Sequence, residues 1–403
     1  MSYVYDLNQN FYQEQERPKK AVPIWTNFLD QDAYKFSMAQ AVFHNFPGAE
    51  AEYQFICRGP ETELGFLKNA LLDEIRTWDK VSKPIAPLKN IKWISNDFLD
   101  FIDNFKLRPQ NYVKISDDQG FLDITIRGPW INTIWYEVPV LATVSELYFN
   151  SRGDLSCGYD NLNDKISSLL TSPIRLVDMG TRRRRSCSWH REVVKTLAGS
   201  LPRSTFIGTS NVLLAHENNI PAIGTMAHEW ISAGQALFHP LDSQKRMLEI
   251  WQQEYNGQLG IALSDTLGTN KFVKDFSGSL AKAFDGVRQD SGDEIEWLNR
   301  MLKMYSDCGI DPKTKTAIFS NALTVKKAQA IETIVNNSIK TTYGIGTHLT
   351  NDIPDVKPLN IVMKLVKLNG RPVAKLSVDP SKAVCKDKLY LAWLKESINH
   401  DCI

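Results

Sequence analysis

The stretch that decides the fold is IRLVDMGTRRRRS, residues 174–186, where a β-branched run stops at a glycine and a polar cluster. The same rhythm returns in STFIGTSN (204–211), AIGTMAHE (222–229), GIALSDTLGT (260–269), FDGVRQDSGD (284–293), KTAIFSNA (315–322) and KTTYGIGTH (340–348). Successive runs start about 28 residues apart, the length of one strand–helix unit. Amphipathic stretches at 232–254, 270–283, 293–305 and 323–336 fill several of the intervals. Repeated units of this kind predict a parallel sheet, and this many in series favour a barrel over an open sheet. The polar cluster at each strand's C-terminal end agrees, because barrel enzymes place their chemistry there.

Upstream the pattern differs. AYKFSMAQAVF (33–43) reads as a helix and AEYQFICRG (51–59) as a strand. YVKIS (112–116) and FLDITIRG (121–128) flank DDQG as a hairpin, and a helix begins near Pro139. This part is α+β. Downstream, LNIVMKLVKL and RPVAKLSV flank Asn369-Gly370, a strong short hairpin signal. That hairpin is expected to rejoin the N-terminal sheet. The expected division is an N-terminal domain of residues 1–145 completed by 358–403, around a barrel of 146–357. The first 20 or so residues, without a clear period, are expected to form an arm or docking segment.

Composition sets outer limits. The chain has 403 residues, 43% apolar and 23% charged, enough for a sizeable core. Lys plus Arg is 47 and Asp plus Glu 46, giving a net charge of +1. That balance argues against a general nucleic-acid coat protein. Six scattered cysteines form no CxxC pair, which fits a reducing compartment rather than a zinc site or disulfide framework. With no signal peptide and no apolar run of about 20 residues, a cytoplasmic enzyme is expected, with no membrane partner.

Four groups of residues could carry chemistry. Arg182, Arg183, Arg184 and Arg185 follow the first strand run; a solvated face or a nucleic-acid patch is an even alternative for the motif alone. At a barrel strand end, one or two of them could fork onto phosphate or carboxylate. His228 in GTMAHEW follows another run; a lone histidine is more often packed than catalytic, and HExxH is absent. His216 reads as structural. Asp265 and Asp290 end strand runs, and Arg288 shares a face with Asp290. Carboxylates beside an arginine suit hydroxyl-rich sugars and Mg²⁺-bound phosphates, against the alternative of a surface ion pair. Ser291-Gly292-Asp293-Glu294 reads as a capping box. Gly344, Gly346 and Thr347, with Ser320-Asn321 one strand earlier, form a phosphate-cradling turn helped by a following helix.

DQDAYKFSMAQAVF, GTRRRRS, FIGTSN, GTMAHEW, LSDT, VRQDSGD, the YGIGT turn and GRPVAKLS together resemble the nicotinate phosphoribosyltransferase family, over residues 25 to 395 or so. The resemblance implies a type II phosphoribosyltransferase-like fold: an irregular α/β, TIM-like barrel with an N-terminal α/β domain. It implies condensation of nicotinate with phosphoribosyl pyrophosphate to nicotinate mononucleotide and pyrophosphate, in NAD biosynthesis or salvage. ATP is implied as co-substrate, hydrolysed through a phosphohistidine, and Mg²⁺ as cofactor, carried mainly by substrate phosphates. By motif match His228 is the phosphorylated residue, and Asp265 and Asp290 hold ribose hydroxyls or metal-bound water. Arg288 and the glycine turn face phosphates, Arg182 meets the nicotinate carboxylate or a phosphate, and Tyr34 stacks on the pyridine ring. Nicotinamide-using relatives carry Asp where this chain has Ser210, so Ser210 removes a charge that would repel nicotinate. A homodimer with shared sites is also implied, because the Tyr34 segment can reach a neighbouring barrel. Nicotinamide or quinolinate as substrate, and a nucleic-acid-binding protein using the arginine run, are the competing readings.

Overall fold

A computed structural model describes residues 23–59, 63–150, 152, 155–354, 356–376 and 383–401 of the chain. The expected N-terminal arm lies outside these residues. Two sheets organise the rest. The first is antiparallel and is built from β1 (Glu50–Cys57), β2 (Val113–Asp118), β3 (Phe121–Pro129), β10 (Ile361–Leu368) and β11 (Arg371–Pro372). Its order is β11-β10-β1-β3-β2. Alternation in β1 sends Ala51, Tyr53 and Phe55 into the core, as a half-buried strand requires. The late strand β10 pairs with β1 along its whole length, with Phe55 opposite Met363. Asn369 and Gly370 both have positive φ, 50° and 75°, the backbone a tight hairpin turn needs.

The second sheet is parallel and contains β4 (Leu176–Asp178), β5 (Phe206–Thr209), β6 (Ile261–Leu263), β7 (Gly286–Gln289), β8 (Thr316–Phe319) and β9 (Lys340–Ile345). Its order is β5-β4-β9-β8-β7-β6. Six of the seven runs expected from sequence are strands here. The seventh, 222–229, is not: it touches β5 through a single bridge, Thr209 to Ala222. Thr225 Oγ1 then donates to Ile261 O at the start of β6 (3.0 Å). This extended segment spans the gap between the outer strands and makes the barrel irregular. Proline at 221, glycine at 224 and the helix starting at His228 leave too few residues for a ladder.

All six strands run the same way, so their C-terminal ends share one rim. Helices Cys187–Ser200, Pro240–Tyr255, Glu294–Asp307 and Val325–Val335 lie between them in sequence, each with buried apolar residues. The capping box is read two residues too early. Asp293, not Ser291, caps the helix Glu294–Asp307, accepting from Ile295 N and Glu296 N. Ser291 instead donates to Asp265 (2.6 Å). Among the described residues, no helix is long and apolar enough to cross a membrane.

Candidate active site

One cleft gathers nearly every residue singled out from sequence. It opens at the C-terminal rim of the parallel sheet and is roofed by β10 and the N-terminal helix Ala33–Asn45. It encloses about 360 Å³, within the range of small-ligand sites. Tyr34, Arg182, Ser210, His228, Arg288, Asp290, Gly344, Gly346 and Thr347 all line it. Asp265 sits just behind, 1% exposed.

The arginine run divides by function. Arg184 is 1% exposed and forks onto Asp30 through two bonds of 2.7 Å, a buried structural pair. Arg185 packs over Phe149 and donates to Arg152 O. Arg182 and Arg183 face the cleft. Burial, and then the charge of Arg182, bring Arg183 down to about 10. The guanidinium of Arg182 lies 5.6 Å from the Tyr34 ring centre. Tyr34 thus lines the cleft of its own chain.

Around Arg182 stand two carboxylates that sequence reasoning missed, Asp32 and Glu137, each at 3.6 Å. Asp32 occupies the N-cap of helix Ala33–Asn45, yet its side chain makes no cap bond. It accepts instead from Ser210 Oγ at 2.6 Å. Ser210 therefore spends its proton on Asp32 rather than pointing it into the cleft. Glu137 is held below the usual carboxylate range: burial opposes this, but Lys35 and then Arg182 outweigh it.

His228 opens the helix His228–Leu237 and lies at the other end of the cleft. Its Nδ1 faces Thr266 Oγ1 (3.0 Å), while Nε2 faces Asp290 Oδ2 (2.9 Å) and Lys375 Nζ (2.9 Å). Asp265 Oδ1 is 3.6 Å from the same Nε2, and Lys375 bridges to Asp265 Oδ2 at 3.1 Å. Burial and the Lys375 ammonium lower His228 to about 4, so the imidazole is neutral near pH 7. Asp290 is held well below its ordinary value; burial would raise it, but the His228 hydrogen bond and the Arg288 and Lys375 charges prevail. Arg288 reaches toward Asp290 at 3.9 Å, and its Nε is buried without a hydrogen-bond partner among the described residues.

Two details of the glycine turn depart from expectation. The helix after it, Thr347–Thr350, is a single turn, so little macrodipole is available. A side chain at Gly344 would meet Met179 Sδ at 2.4 Å, so packing as well as ligand access demands glycine there. Nearby, Ser320 Oγ contacts Asp290 Oδ1 (3.1 Å), and Ala322 holds a positive φ of 47° on the cleft wall.

Sequence reasoning also missed Arg58, Lys364 and Lys375. Lys364, on β10, is brought down to about 7 by burial and then by Lys375. Lys375 follows β11 and stands inside the GRPVAKLS motif, where its place in the motif was the available signal. His228, Asp265 and Asp290 offer ligand atoms within 4.8 Å of one another. Asp265 Oδ1 is buried without a hydrogen-bond partner among the described residues, and carboxylate oxygens suit Mg²⁺. The ammonium of Lys375 already stands 3.1 Å from the other oxygen of Asp265 and offsets its charge.

Comparison with known proteins shows the family. Residues 174–401 match the nicotinate phosphoribosyltransferase (NAPRTase) family, and residues 29–145 match the NAPRTase N-terminal domain. The nicotinate phosphoribosyltransferase of Acidovorax sp. (strain JS42) is 44% identical over 391 residues, covering 93% of this chain and 98% of its own length. That of Burkholderia mallei is 43% identical over 387 residues, covering 93% and 96%. Among solved structures, the nicotinate phosphoribosyltransferase of Vibrio cholerae superposes with a TM-score of 0.89 at 37% identity, covering 93% of this chain and 94% of that one. The Porphyromonas gingivalis enzyme gives 0.88 at 31%, covering 93% and 100%. Matched along both sheets and the cleft between them, the chain belongs to the nicotinate phosphoribosyltransferase family.

Proposed function

We propose that this nicotinate phosphoribosyltransferase of NAD salvage carries its reaction in the cleft between Arg182 and His228, with ATP hydrolysis coupled through phosphorylation of His228. One arrangement supports the reading above all: an aromatic–arginine pocket, Tyr34 with Arg182, shares a cavity with a neutral histidine flanked by two aspartates and a lysine.

Nicotinate would lie with its ring on Tyr34 and its carboxylate on Arg182, a planar fork suited to that anion. Its pyridine nitrogen attacks C1 of phosphoribosyl pyrophosphate, and the C1–oxygen bond to pyrophosphate breaks. Positive charge grows on the ribose ring as negative charge grows on the leaving group. Asp290 and Asp265 orient the ribose hydroxyls or metal-bound water. Arg288, Arg183 and the Gly344–Thr347 turn face the phosphates. Mg²⁺, when bound with the substrate, supplies charge neutralisation on the leaving oxygens.

The environment of His228 supports phosphorylation at this residue. Thr266 engages Nδ1 and leaves Nε2 facing the cleft residues Asp290 and Lys375. With the ring proton on Nδ1 and donated to Thr266 Oγ1, the neutral imidazole has its lone pair on Nε2, which attacks the γ-phosphorus of ATP and releases ADP. Lys375 then neutralises the new phosphoryl charge, and hydrolysis of the phosphohistidine restores the enzyme. Assembly as a homodimer belongs to the same reading and is checked by light scattering.

The test follows nicotinate mononucleotide from nicotinate, phosphoribosyl pyrophosphate and Mg²⁺, with and without ATP. Product stimulated by ATP supports the scheme. Absence of product in every condition overturns it. Product without ATP stimulation removes the role of His228. His228→Ala is expected to keep basal transfer and to lose the linked ATP hydrolysis.

A further inference from the structure

Arg182 is flanked by two carboxylates, yet neither claims it. Asp32 and Glu137 both stand at 3.6 Å, beyond hydrogen-bond length. Each is engaged more closely by another group. Ser210 Oγ donates to Asp32 Oδ1 at 2.6 Å, and Lys35 Nζ meets Glu137 Oε2 at 2.6 Å. Lys35 is fully buried and does not line the cleft. Its other partner is Glu229, also at 2.6 Å. Glu229 has further donors, Tyr53 OH (2.5 Å) and Trp130 Nε1 (2.7 Å). Among the described residues, the only other cation within 4 Å of Glu137 is Arg182.

These contacts are unequal in a way that matters. Remove Lys35, and Glu229 keeps two hydrogen bonds. Glu137, in a buried site of low dielectric, keeps Arg182 as its nearest cation, with the Lys364 charge farther off, and would close on Arg182. An arginine fully paired inside the protein is a poor receptor for an external carboxylate, because the substrate must then displace an internal anion.

We propose that Lys35 is a positioning residue for nicotinate binding: it holds Glu137 off Arg182 and leaves the guanidinium open to the substrate carboxylate. The inference rests on Arg182 as the ligand of that carboxylate. Lys35 acts without touching substrate, and its effect is confined to nicotinate. Phosphoribosyl pyrophosphate, held by other groups, is unaffected.

Steady-state kinetics of Lys35→Gln, Lys35→Gln/Glu137→Gln and Arg182→Gln test this. In Lys35→Gln the nicotinate KM rises about tenfold or more, while the phosphoribosyl pyrophosphate KM stays within about twofold. The double variant returns the nicotinate KM to within about threefold of wild type, a rescue that a merely structural lysine would not allow. An unmoved nicotinate KM in Lys35→Gln, or no recovery in the double variant, overturns the proposal. If Arg182→Gln leaves nicotinate KM unchanged, the assignment of Arg182 falls first. If it raises KM and Lys35→Gln does not, only the inference about Lys35 falls. Should Lys35→Gln not fold, Glu137→Gln alone decides: it is expected to lower nicotinate KM, and an unchanged or higher value overturns the idea.

Discussion

Lys375 Nζ lies 2.9 Å from His228 Nε2, an ammonium set against the nitrogen proposed to carry a phosphoryl group. It comes from the segment after β11, far from His228 in sequence, and with burial it lowers His228 to about 4. Removing a positive neighbour makes the imidazolium less costly, so Lys375→Ala raises the His228 pKa toward the ordinary 6.5 or so. The acid limb of the ATP-stimulated rate moves to higher pH in that variant. A limb that stays in place would show that another group sets it.

The same lowered value links to stability. Between pH 6.5 or so and 4, the unfolded chain takes up a proton at this histidine and the folded chain does not. The contribution is fully present above the unfolded pKa and is lost as pH falls toward the folded one. A shift from 6.5 to about 4 corresponds to about 3 kcal/mol across that window. His228→Gln removes this slope, leaving acid sensitivity to Asp265 and Asp290 at lower pH. Denaturant melts at several pH values measure it, and an unchanged slope in the variant counts against a neutral buried His228.

Ser210 carries the next expectation. Its hydroxyl donates to Asp32 at 2.6 Å, so Ser210→Asp would set two carboxylates together beside Arg182. The pair resists double ionisation, and its extra charge repels nicotinate. Nicotinate KM rises by about tenfold or more, and part of the loss is recovered at lower pH as one carboxyl protonates. Ser210→Ala frees Asp32 to approach Arg182 and raises KM less. Full nicotinate activity in Ser210→Asp would sink this account of selectivity.

The sequence carried the barrel because period and punctuation agree there. β-branched runs end in polar clusters, and six of seven became strands of one parallel sheet. It misread 222–229 because a single-bridge segment has the same composition as a short strand. Most of the residues it named at strand ends line one cleft at a shared rim, since parallel strands share a direction. Asp32, Glu137, Lys364 and Lys375 escaped notice for a different reason. They arrive from the N-terminal helix, the start of the helix Glu137–Phe149 and the late hairpin, and only packing of these elements against the parallel sheet brings them to the cleft. No local spacing records that approach.

Arg184 gives the last test, one that separates members of a run indistinguishable by sequence. Its guanidinium is 1% exposed and forks onto Asp30, which also accepts from Asn211 Nδ2 at 2.7 Å. Asp30 is held near 2: burial would raise it, but Arg184 and Asn211 outweigh that. Arg184→Ala strands a buried carboxylate and costs about 3 kcal/mol or more, because the pair's partner cannot regain water. Arg183 makes no ion pair among the described residues and faces the cleft, so Arg183→Ala leaves the melting curve within about 1 kcal/mol of wild type while weakening activity. Thermal melts and phosphoribosyl transfer assays on the two variants should therefore move in opposite senses. Equal destabilisation in both would mean that the run acts as one structural block.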